Sequence, residues 1–310
     1  MQVVFLENPP VSIVLPTYNR PGILRECLLS VIAQTYREWE LVIIDDCSPL
    51  LVESNIKDLL DRDSRIRFVR NVFRRTTPSS KNIGISLARH DLVLFLEDDM
   101  VLDPDAIRIL VDTYLTLSRN DTMLGAVAPS IPRVYPEDLK NLNSVKDRLV
   151  NERPSTGSTP QRTSPWTGQI DIDFTPKYRD LQEVGDVHAC VLYPKKALID
   201  AGGFRENTYK GNFSREESDL SWRVHRLGYH YYFQPAAIFY HVRVSEGGSR
   251  VSYLRFVYYT ITNHTKFLYH NRGLVRTLYM APLFALWSLK GGIVRLMKLL
   301  PTLFTGRSKS

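Results

Sequence analysis

The sequence predicts an α/β fold in which helices cover both faces of a mostly parallel sheet. Short apolar runs occupy residues 11–15, 41–44, 66–69 and 92–96 of the 310-residue chain. Continuous apolar runs of this length are typical of strands that are buried on both faces. Segments with helical periodicity separate the runs, and strands that alternate with helices form parallel sheets.

Each predicted helix has one apolar face. In the first helix, apolar side chains recur at three- and four-residue spacing, at Leu24, Cys27, Leu28 and Val31. The same pattern over residues 107–114 predicts a helix after the fourth strand. Residues 216–227 predict another helix, and residues 231–233 a further strand. The alternation of strands and helices therefore extends into the second half of the chain.

The chain divides into a main domain over residues 1–270 and a C-terminal tail over residues 271–310. Residues 11–130 and 180–245 carry the regular patterns of the domain. Residues 136–178 lack clear periodicity, which predicts a flexible loop. A long loop in a compact domain is either an active-site cover or a disordered linker, and both alternatives stay open at this stage.

The positive charge of the chain is concentrated in the tail. The chain has 40 Lys and Arg, 33 Asp and Glu and a formal charge of +7. The tail contains seven of the basic residues and no acidic residue, so the first 270 residues are formally neutral. We therefore expect no nucleic-acid partner. The three cysteines are widely spaced, which indicates reduced thiols, and the absence of a secretory signal pattern predicts a cytoplasmic protein.

Two apolar segments make up most of the tail, at residues 278–289 and 293–303, with Gly291 and Gly292 between them. Each is shorter than the roughly 18 residues that a membrane-spanning helix needs. Apolar area combined with basic charge predicts an amphipathic helical tail that lies in an anionic membrane surface. We expect peripheral or monotopic attachment at the cytoplasmic face of the cell membrane. The alternative is a helical hairpin that packs on the protein's own core.

Acidic residues follow two of the predicted strands. Asp45 and Asp46 follow the second strand, and Glu97, Asp98 and Asp99 follow the fourth. Ligands bind at the carboxyl ends of the strands in open α/β sheets, and clustered carboxylates are stabilised by a cation between them. Oxygen ligands suit Mg²⁺ or Mn²⁺. The alternative is that these side chains only cap helices and turns.

Four sequence motifs in order resemble the glycosyltransferases of family 2, which have the GT-A fold. The motifs span residues 11–241 and read VSIVLPTYNRP, QTYREWELVIIDDCSP, KNIGISLARHDLVLFLEDDMVLDPDAI and AGGFRENTYKGNFSREESDLSWRVHRLGYHYYFQPAAIFYH. The resemblance implies a Rossmann-like GT-A domain over residues 1–270. Its nucleotide-sugar and metal half would be residues 11–130, and its acceptor half residues 180–245.

The resemblance also implies a nucleotide-sugar site. Its lining would consist of Pro16, Thr17, Tyr18, Arg20, Asp45, Asp46, Lys81, Asn82, Glu97 and Asp98. Asp45 and Asp46 would hold the base and the ribose. The family carries Arg before Asn82, and Lys81 in its place keeps the positive charge near a phosphate without the bidentate fork of Arg.

The acidic triplet matches the Asp-x-Asp motif of the family. Asp99 would be the direct metal ligand, and Glu97 departs from the pattern in the first position. His241 corresponds to a histidine near the metal or the diphosphate in some members. Mn²⁺ or Mg²⁺ would neutralise the charge that grows on the departing diphosphate.

The segment REESDL resembles the family motif that supplies the catalytic base. Glu217 falls at the position of the base, which takes a proton from the acceptor hydroxyl. Acidic residues at a helix start also complement the helix dipole without any catalytic role. Glu216, Asp219 and His188 are expected on the acceptor side.

The function that the resemblance implies is inverting transfer of a sugar from a nucleotide-sugar, with a UDP-sugar favoured, to a hydroxyl group. A lipid-linked glycan acceptor in polysaccharide or glycoprotein glycan assembly would suit the tail. The departures at Lys81, Glu97 and Glu217 leave an alternative, a non-catalytic nucleotide-sugar-binding partner of a membrane glycosyltransferase complex. A nicotinamide-dependent enzyme is disfavoured because Pro16, Thr17 and Tyr18 follow the first strand where a glycine-rich loop would be needed.

Overall fold

The computed structural model of the chain describes most of its residues. The described residues are 8–49, 52–152, 154, 158–187, 189–244 and 251–305, with side chains as far as Lys290. The chain consists of two compact units. The first unit comprises the described residues of Met1–Gln161, Ile172–Glu206 and Glu216–Gly248, and the second those of Arg162–Asp171, Asn207–Arg215 and Ser249–Ser310.

Strands and helices alternate through the first unit. The strands are β1 (Val11–Thr17), β2 (Trp39–Asp45), β3 (Ile66–Arg70), β4 (Leu92–Phe95), β5 (Met100–Leu102), β6 (Leu124–Ser130), β7 (Arg133–Val134), β10 (Gln182–Val184), β11 (Leu192–Pro194) and β12 (His230–Val242), while the short strands β8 (Gln161–Thr163) and β9 (Ile170–Ile172) form a separate pair. The helices are α1 (Pro21–Ile32), α2 (Val52–Arg62), α3 (Thr77–Leu87), α4 (Ala106–Ser118), α5 (Leu142–Asn151), α6 (Lys195–Asp200) and α7 (Glu216–Arg226). The four strands predicted in the first hundred residues are confirmed as β1 to β4.

The main sheet is mixed, with a parallel half and an antiparallel insertion. Its strand order is β10-β12-β6-β11-β4-β1-β2-β3, and β5 and β7 pair with β12. β4, β1, β2 and β3 are mutually parallel, whereas β11 runs antiparallel between β4 and β6. The prediction of a mostly parallel sheet with flanking helices is therefore confirmed.

Side chains of each central strand alternate between two cores. From β1, Ile13 and Leu15 enter a core that contains Leu28 of α1, and Val14 enters the opposite core with Ile85 of α3. Both faces are covered, so the strand consists of apolar residues on both sides, as its sequence predicted. Each Å² of apolar surface that is removed from water stabilises the folded state by roughly 25 cal/mol.

The parallel direction of β1, β2 and β4 brings their carboxyl ends to one edge of the sheet, which we call the carboxyl-end edge. β1 ends at Thr17, β2 ends at Asp45 and β4 ends two residues before Glu97. On β12, His241 pairs with Met100, the residue after Asp99. Polar residues that are distant in sequence therefore meet at this edge.

The segment 136–178 contains regular structure that the sequence analysis did not predict. It holds a 3₁₀ turn at Pro136–Asn141, helix α5 and the strands β8 and β9. In α5, Leu142, Val145 and Leu149 recur at helical spacing and join a small core, and Asn141 caps the helix by accepting from the backbone N–H of Ser144. The prediction of a loop without periodicity is wrong for this part, because a short apolar stripe is easily missed among polar residues.

The second unit contains two long helices, α8 (Tyr253–Arg272) and α9 (Leu274–Thr305), which pack against each other. Gly273 has a φ of 83° at the turn between them, a conformation that glycine adopts without strain. The sequence predicted a boundary at residue 270, whereas α8 belongs to the same unit as the tail. In the described residues, no helix is long and apolar enough to cross a membrane.

Helix α9 continues through Gly291 and Gly292. The two apolar segments of the tail therefore belong to one helix. They do not form the two arms of a helical hairpin, which was the alternative in the sequence analysis. Two glycines cost a helix only about 1 kcal/mol each relative to alanine, which is too little to break a long helix that is otherwise rich in Leu.

Replacing Gly84 by alanine should destabilise the first unit. A Cβ at Gly84 would lie 2.1 Å from Cγ1 of Val14, so α3 would have to move away from β1. We expect a loss of about 1–3 kcal/mol in the free energy of unfolding, measured by urea titration. Gly22→Ala is the control, because a Cβ there meets no atom within 4 Å. Equal stability of the two variants would contradict the packing of α3 on β1.

His264 of α8 is buried and held in its neutral form. Its Nδ1 accepts a hydrogen bond from Nε–H of Arg215 at 3.1 Å, and its Nε2–H donates to the carbonyl of Thr167 at 2.7 Å. The ring also contacts Phe284, with 3.8 Å between ring centroids. Burial, followed by the positive charges of Arg215 and Arg272, lowers the pKa of His264 to about 3.

Acidification should therefore weaken the second unit. Between pH 6.5 and the lowered pKa of His264, the unfolded chain takes up a proton that the folded chain does not, so stability falls as pH falls. We expect a loss of about 2 kcal/mol between pH 7 and pH 5 from this residue, measured by urea titration. The loss should be smaller in His264→Asn and unchanged in His270→Asn, the exposed control on the same helix. An unchanged pH dependence in His264→Asn would refute this assignment.

Candidate active site

The acidic triplet begins two residues after the end of β4, at the carboxyl-end edge. Asp98 and Asp99 are 5% and 6% exposed. Asp98 accepts hydrogen bonds from the hydroxyl of Thr17 at 2.8 Å and from Nη1 of Arg20 at 3.0 Å. The same Nη1 lies 2.8 Å from Oδ2 of Asp99. Arg20 therefore joins the loop after β1 to the triplet.

Two buried cysteines hold the backbone at Glu97. The N–H of Glu97 donates to Sγ of Cys190 at 3.4 Å, and the thiol of Cys27 donates to the carbonyl of Glu97 at 3.6 Å. Burial raises the pKa of both thiols, and neither cysteine is in a disulfide. These neutral thiols fix the direction in which the triplet leaves β4, and they agree with the prediction of reduced cysteines.

The three carboxyl groups of the triplet differ in their electrostatic surroundings. Burial raises the pKa of Asp98 to about 6, although Arg20 opposes the shift. Burial also raises the pKa of Glu97, and the negative charges of Glu217 and Asp99 add to that effect. Burial acts in the same direction on Asp99, but His241 and Arg20 outweigh it and hold the pKa of Asp99 below its usual range. Asp99 is therefore the member of the triplet that stays ionised most readily.

Asp99 and His241 fit the ligands of a divalent metal ion. Nε2 of His241 lies 3.5 Å from Oδ2 of Asp99. Oδ1 of Asp99 is buried and has no hydrogen-bond partner among the described residues. Within the described part of the chain, no group of three or more His, Cys, Asp or Glu side chains is arranged to hold a metal. Such a small protein set suits Mg²⁺ or Mn²⁺, which take further ligands from water and substrate phosphates.

Two other predicted nucleotide-sugar residues, Pro16 and Tyr18, lie near the end of β1. Pro16 is buried within β1, where it pairs with Ile44 of β2. Tyr18 is partly exposed, and the guanidinium of Arg74 lies 3.9 Å from the centroid of its ring. One face of Tyr18 is therefore covered by a cation. The basic residues clustered at residues 70–75 are the signal that could have identified Arg74 from the sequence.

Asp45 and Asp46 are both engaged within the protein. Asp45 is fully buried and accepts from the hydroxyl of Ser48 and from Nη1 of Arg70, the latter at 2.8 Å. Asp46 accepts from the side chain of Asn71 at 3.0 Å and from the backbone N–H of Arg75 at 2.7 Å. The carboxylate of Asp45 orders the loop after β2, and its predicted contact with a nucleotide stays a prediction.

Lys81 lies next to the predicted base. Its Nζ is 2.8 Å from Oε1 of Glu217 and 3.1 Å from Oε1 of Glu216, and its side chain is 1% exposed. The ammonium group is directed at these two carboxylates, and the predicted position near a phosphate stays a prediction. This pairing could not be predicted from the sequence, because Lys81 and Glu217 are 136 residues apart.

Asn82 and Asp219 have structural partners within the protein. The side-chain amide of Asn82 donates to the carbonyl of Phe204 and accepts from its N–H, at 2.9 and 2.8 Å. Asp219 is fully buried and forms ion pairs with Arg205 and Arg223 at 2.9 and 3.0 Å. The predicted places of Asn82 in the nucleotide site and of Asp219 on the acceptor side stay predictions. His188 lies outside the described residues.

Glu217 is the acidic residue at the start of α7 that reaches the surface of the site. Its side chain is 25% exposed, against 5% for Glu216 and 0% for Asp219. Glu216 is predominantly enclosed with Lys81, and burial raises its pKa. The first turn of α7 thus presents one partly exposed carboxylate beside two buried ones.

The chain is similar in sequence to known glycosyltransferases. The model of Glycosyl transferase family 2 matches residues 12–198. The putative colanic acid biosynthesis glycosyl transferase WcaA of Escherichia coli K12 is 29% identical over 135 residues, which cover 42% of this chain and 48% of WcaA. Poly-beta-1,6-N-acetyl-D-glucosamine synthase of Staphylococcus aureus is 24% identical over 229 residues, which cover 74% of this chain and 48% of the synthase.

A solved structure shares the fold. The crystal structure of GalNAc-T7 with UDP, GalNAc and Mn²⁺ aligns with a TM-score of 0.63 and 16% sequence identity, over 84% of this chain and 48% of GalNAc-T7. The chain spans about half the length of each of these three proteins. The sheet order and flanking helices agree with the GT-A fold of this neighbour. Because the family model matches more than half of its residues, the chain belongs to Glycosyl transferase family 2 and has the GT-A fold.

Proposed function

We propose that the protein is a metal-dependent inverting glycosyltransferase that moves a sugar from a nucleotide-sugar to a hydroxyl group of a glycan. The observation that carries the proposal is that the site contains both a carboxylate that could bind a metal ion and a candidate base. Asp99 has an unpartnered buried oxygen beside His241, and Glu217 presents a partly exposed carboxylate. WcaA and the Staphylococcus aureus synthase are named for roles in polysaccharide formation, which supports a glycan acceptor.

The proposed reaction is a single displacement at the anomeric carbon. The acceptor oxygen forms a bond to that carbon, and the bond between the carbon and the diphosphate oxygen breaks. The acceptor proton passes to the carboxylate of Glu217, and the electron pair of the broken bond leaves with the nucleoside diphosphate. One displacement inverts the configuration at the carbon, which matches the inverting chemistry of the family.

Asp99 and His241 would hold Mn²⁺ or Mg²⁺, and the ion would supply positive charge to the departing diphosphate. The chain's own residues prepare this position. Arg20 and Thr17 hold Asp98 in place, which fixes the neighbouring Asp99 at the carboxyl-end edge. GalNAc-T7 was crystallised with UDP and Mn²⁺, which supports a UDP-sugar as the donor here.

Replacing Glu217 by Gln or Asp99 by Asn should abolish most sugar transfer. A panel of UDP-, GDP- and dTDP-sugars is assayed for metal-dependent turnover, and EDTA should remove activity that Mn²⁺ or Mg²⁺ restores. We expect kcat to fall about 100-fold or more in each variant, because a base or a metal ligand is lost. Glu53→Gln and Asp61→Asn, which change exposed side chains on α2, are the controls.

Normal turnover in both Glu217→Gln and Asp99→Asn would refute the assigned roles. Nucleotide-sugar binding by calorimetry without turnover on any donor would instead favour the non-catalytic alternative. The two outcomes are distinguishable because binding is measured separately from transfer.

We also propose that helices α8 and α9 attach the protein to an anionic membrane surface. α9 packs inward through Thr277, Met280 and Phe284, which are 8%, 5% and 1% exposed. Its opposite side is also apolar. That outer face of α9 consists of Val275, Leu278, Leu286 and Leu289, which are 50–77% exposed. A helix that is apolar on its solvent side needs a second apolar environment.

A lipid bilayer that contains anionic lipids fits this face better than another protein does. Residues 251–310 contain nine Lys or Arg and no Asp or Glu. Tyr258, Tyr269, Tyr279 and Trp287 are 46–61% exposed, and such aromatic side chains favour the membrane–water interface. Because the basic residues begin in α8, the proposed attachment region is larger than the tail over residues 271–310 that the sequence predicted. We place it at the cytoplasmic face of the cell membrane, where a lipid-linked glycan acceptor would be available.

The double substitution Leu278→Glu with Leu286→Glu should prevent binding to vesicles. Vesicles with about 30% phosphatidylglycerol should bind the wild-type chain in a salt-sensitive manner, measured by co-sedimentation. We expect at least a 10-fold loss of binding, since each buried Leu contributes about 1.5–3 kcal/mol. Ile199→Glu, at a residue that is 60% exposed in the first unit, is the matched control. Vesicle binding by the double variant at the wild-type level would contradict the proposal. So would a wild-type chain that self-associates through this face, as shown by loss of self-association in the double variant, and does not bind vesicles.

A further inference from the structure

Lys81 is a buried cation that the proposed reaction does not use directly. It lies on α3, with its Nζ between the carboxylates of Glu217 and Glu216 and 5.1 Å from the centroid of the Phe204 ring. A buried ammonium group is costly to desolvate unless carboxylates compensate its charge. Here burial lowers the pKa of Lys81, but the negative charges of Glu216, Glu217 and Glu97 outweigh that effect and hold it above its usual range. Glu97 also faces Glu217, whose negative charge acts on it. Lys81 is therefore a permanent positive charge within the protein.

The two carboxylates that share this cation are not equivalent. Glu216 is 5% exposed, and its Oε2 has no hydrogen-bond partner among the described residues. Glu217 is 25% exposed and has the shorter contact with Nζ, at 2.8 Å. Lys81 itself is 1% exposed, so a phosphate could not reach its ammonium group without a rearrangement of α7. What Lys81 can influence from this position is the conformation and ionisation of Glu217.

We propose that Lys81 is a positioning residue for Glu217. By holding one carboxylate oxygen, it selects the rotamer in which Glu217 reaches the surface of the site, and its charge keeps Glu217 ionised and ready to accept a proton. The family resemblance had implied a phosphate-binding role at this position, and the buried contact with Glu217 replaces it. The proposal rests on the assignment of Glu217 as the base.

The experiment separates positioning from phosphate binding with Lys81→Met and Lys81→Arg. In Lys81→Met, kcat for the donor that the panel identifies should fall about 100-fold, while the donor KM and the calorimetric Kd for UDP change less than about 3-fold. The acidic limb of the pH profile of kcat/KM should move up by about one pH unit, because the ionised carboxylate loses its cation. Lys81→Arg, which retains the charge, should keep the acidic limb in place. Lys195→Met is the control, because Lys195 contacts a backbone carbonyl outside the site.

A second readout does not depend on turnover. In protein labelled with ¹³C at the glutamate carboxyl carbons, the resonance of Glu217 is assigned by its loss in Glu217→Gln. Its titration midpoint should rise in Lys81→Met and stay near the wild-type value in Lys195→Met. If Lys81→Met does not fold, the comparison is made between Glu216→Gln and Lys81→Met with Glu216→Gln, since this background removes the buried carboxylate that would lose its partner.

Three results would overturn the proposal. One is weaker UDP binding in Lys81→Met with kcat and the acidic limb unchanged, which would indicate a phosphate contact. Another is an unchanged titration midpoint of Glu217. The third is loss of the wild-type acidic limb in Lys81→Arg. Full turnover in Glu217→Gln would instead refute the base assignment, while the titration would still test the contact with Lys81.

Discussion

The burial of carboxylates at the carboxyl-end edge is the constraint on which the rest of the site depends. Asp45, Asp98, Asp99 and Glu216 are all at most 6% exposed. An ionised carboxylate without a partner costs several kcal/mol to bury, so the fold must bring cations to the same edge. Each of these cations comes from a different segment, namely Arg20 from the loop after β1, Arg70 from β3 and Lys81 from α3. Tertiary structure and charge balance are therefore coupled here.

The places where this compensation is incomplete are those where substrate chemistry is expected. Oδ1 of Asp99 has no partner among the described residues, although Oδ2 contacts Arg20 and His241. Glu217 contacts the buried ammonium group of Lys81, and its side chain is 25% exposed. By contrast, Asp45 and Asp219 have strong internal partners and no exposed surface. Residual exposure and missing partners thus separate the candidate reactive carboxylates from the structural ones.

The sequence predicted the parts of the fold that local pattern determines. The apolar runs that became β1 to β4 are buried on both faces, and the motifs at both ends of the domain identified the family. The partners of Lys81 and Asn82 were not predictable, because they are contacts between segments more than a hundred residues apart. Helix α5 was missed because it is short and its apolar stripe has few residues among polar ones. Sequence pattern therefore predicted the fold and the family, whereas long-range pairing determines the partners of each side chain.

The acidic triplet shows how consecutive residues acquire different tasks. Asp98 is the structural centre, because Thr17 and Arg20 fix its carboxylate and so join two loops. Oδ1 of Asp99 has no hydrogen-bond partner among the described residues, and the negative charges of Glu217 and Asp99 act on Glu97, whose pKa burial raises. Asp98 and Asp99 share Arg20, but Asp98 also accepts from Thr17 and Asp99 also contacts His241. The role of each residue in the motif therefore depends on its surroundings at the carboxyl-end edge. The sequence of three acidic residues does not by itself determine which carboxyl group is protonated, which is held by hydrogen bonds and which keeps an oxygen without a partner.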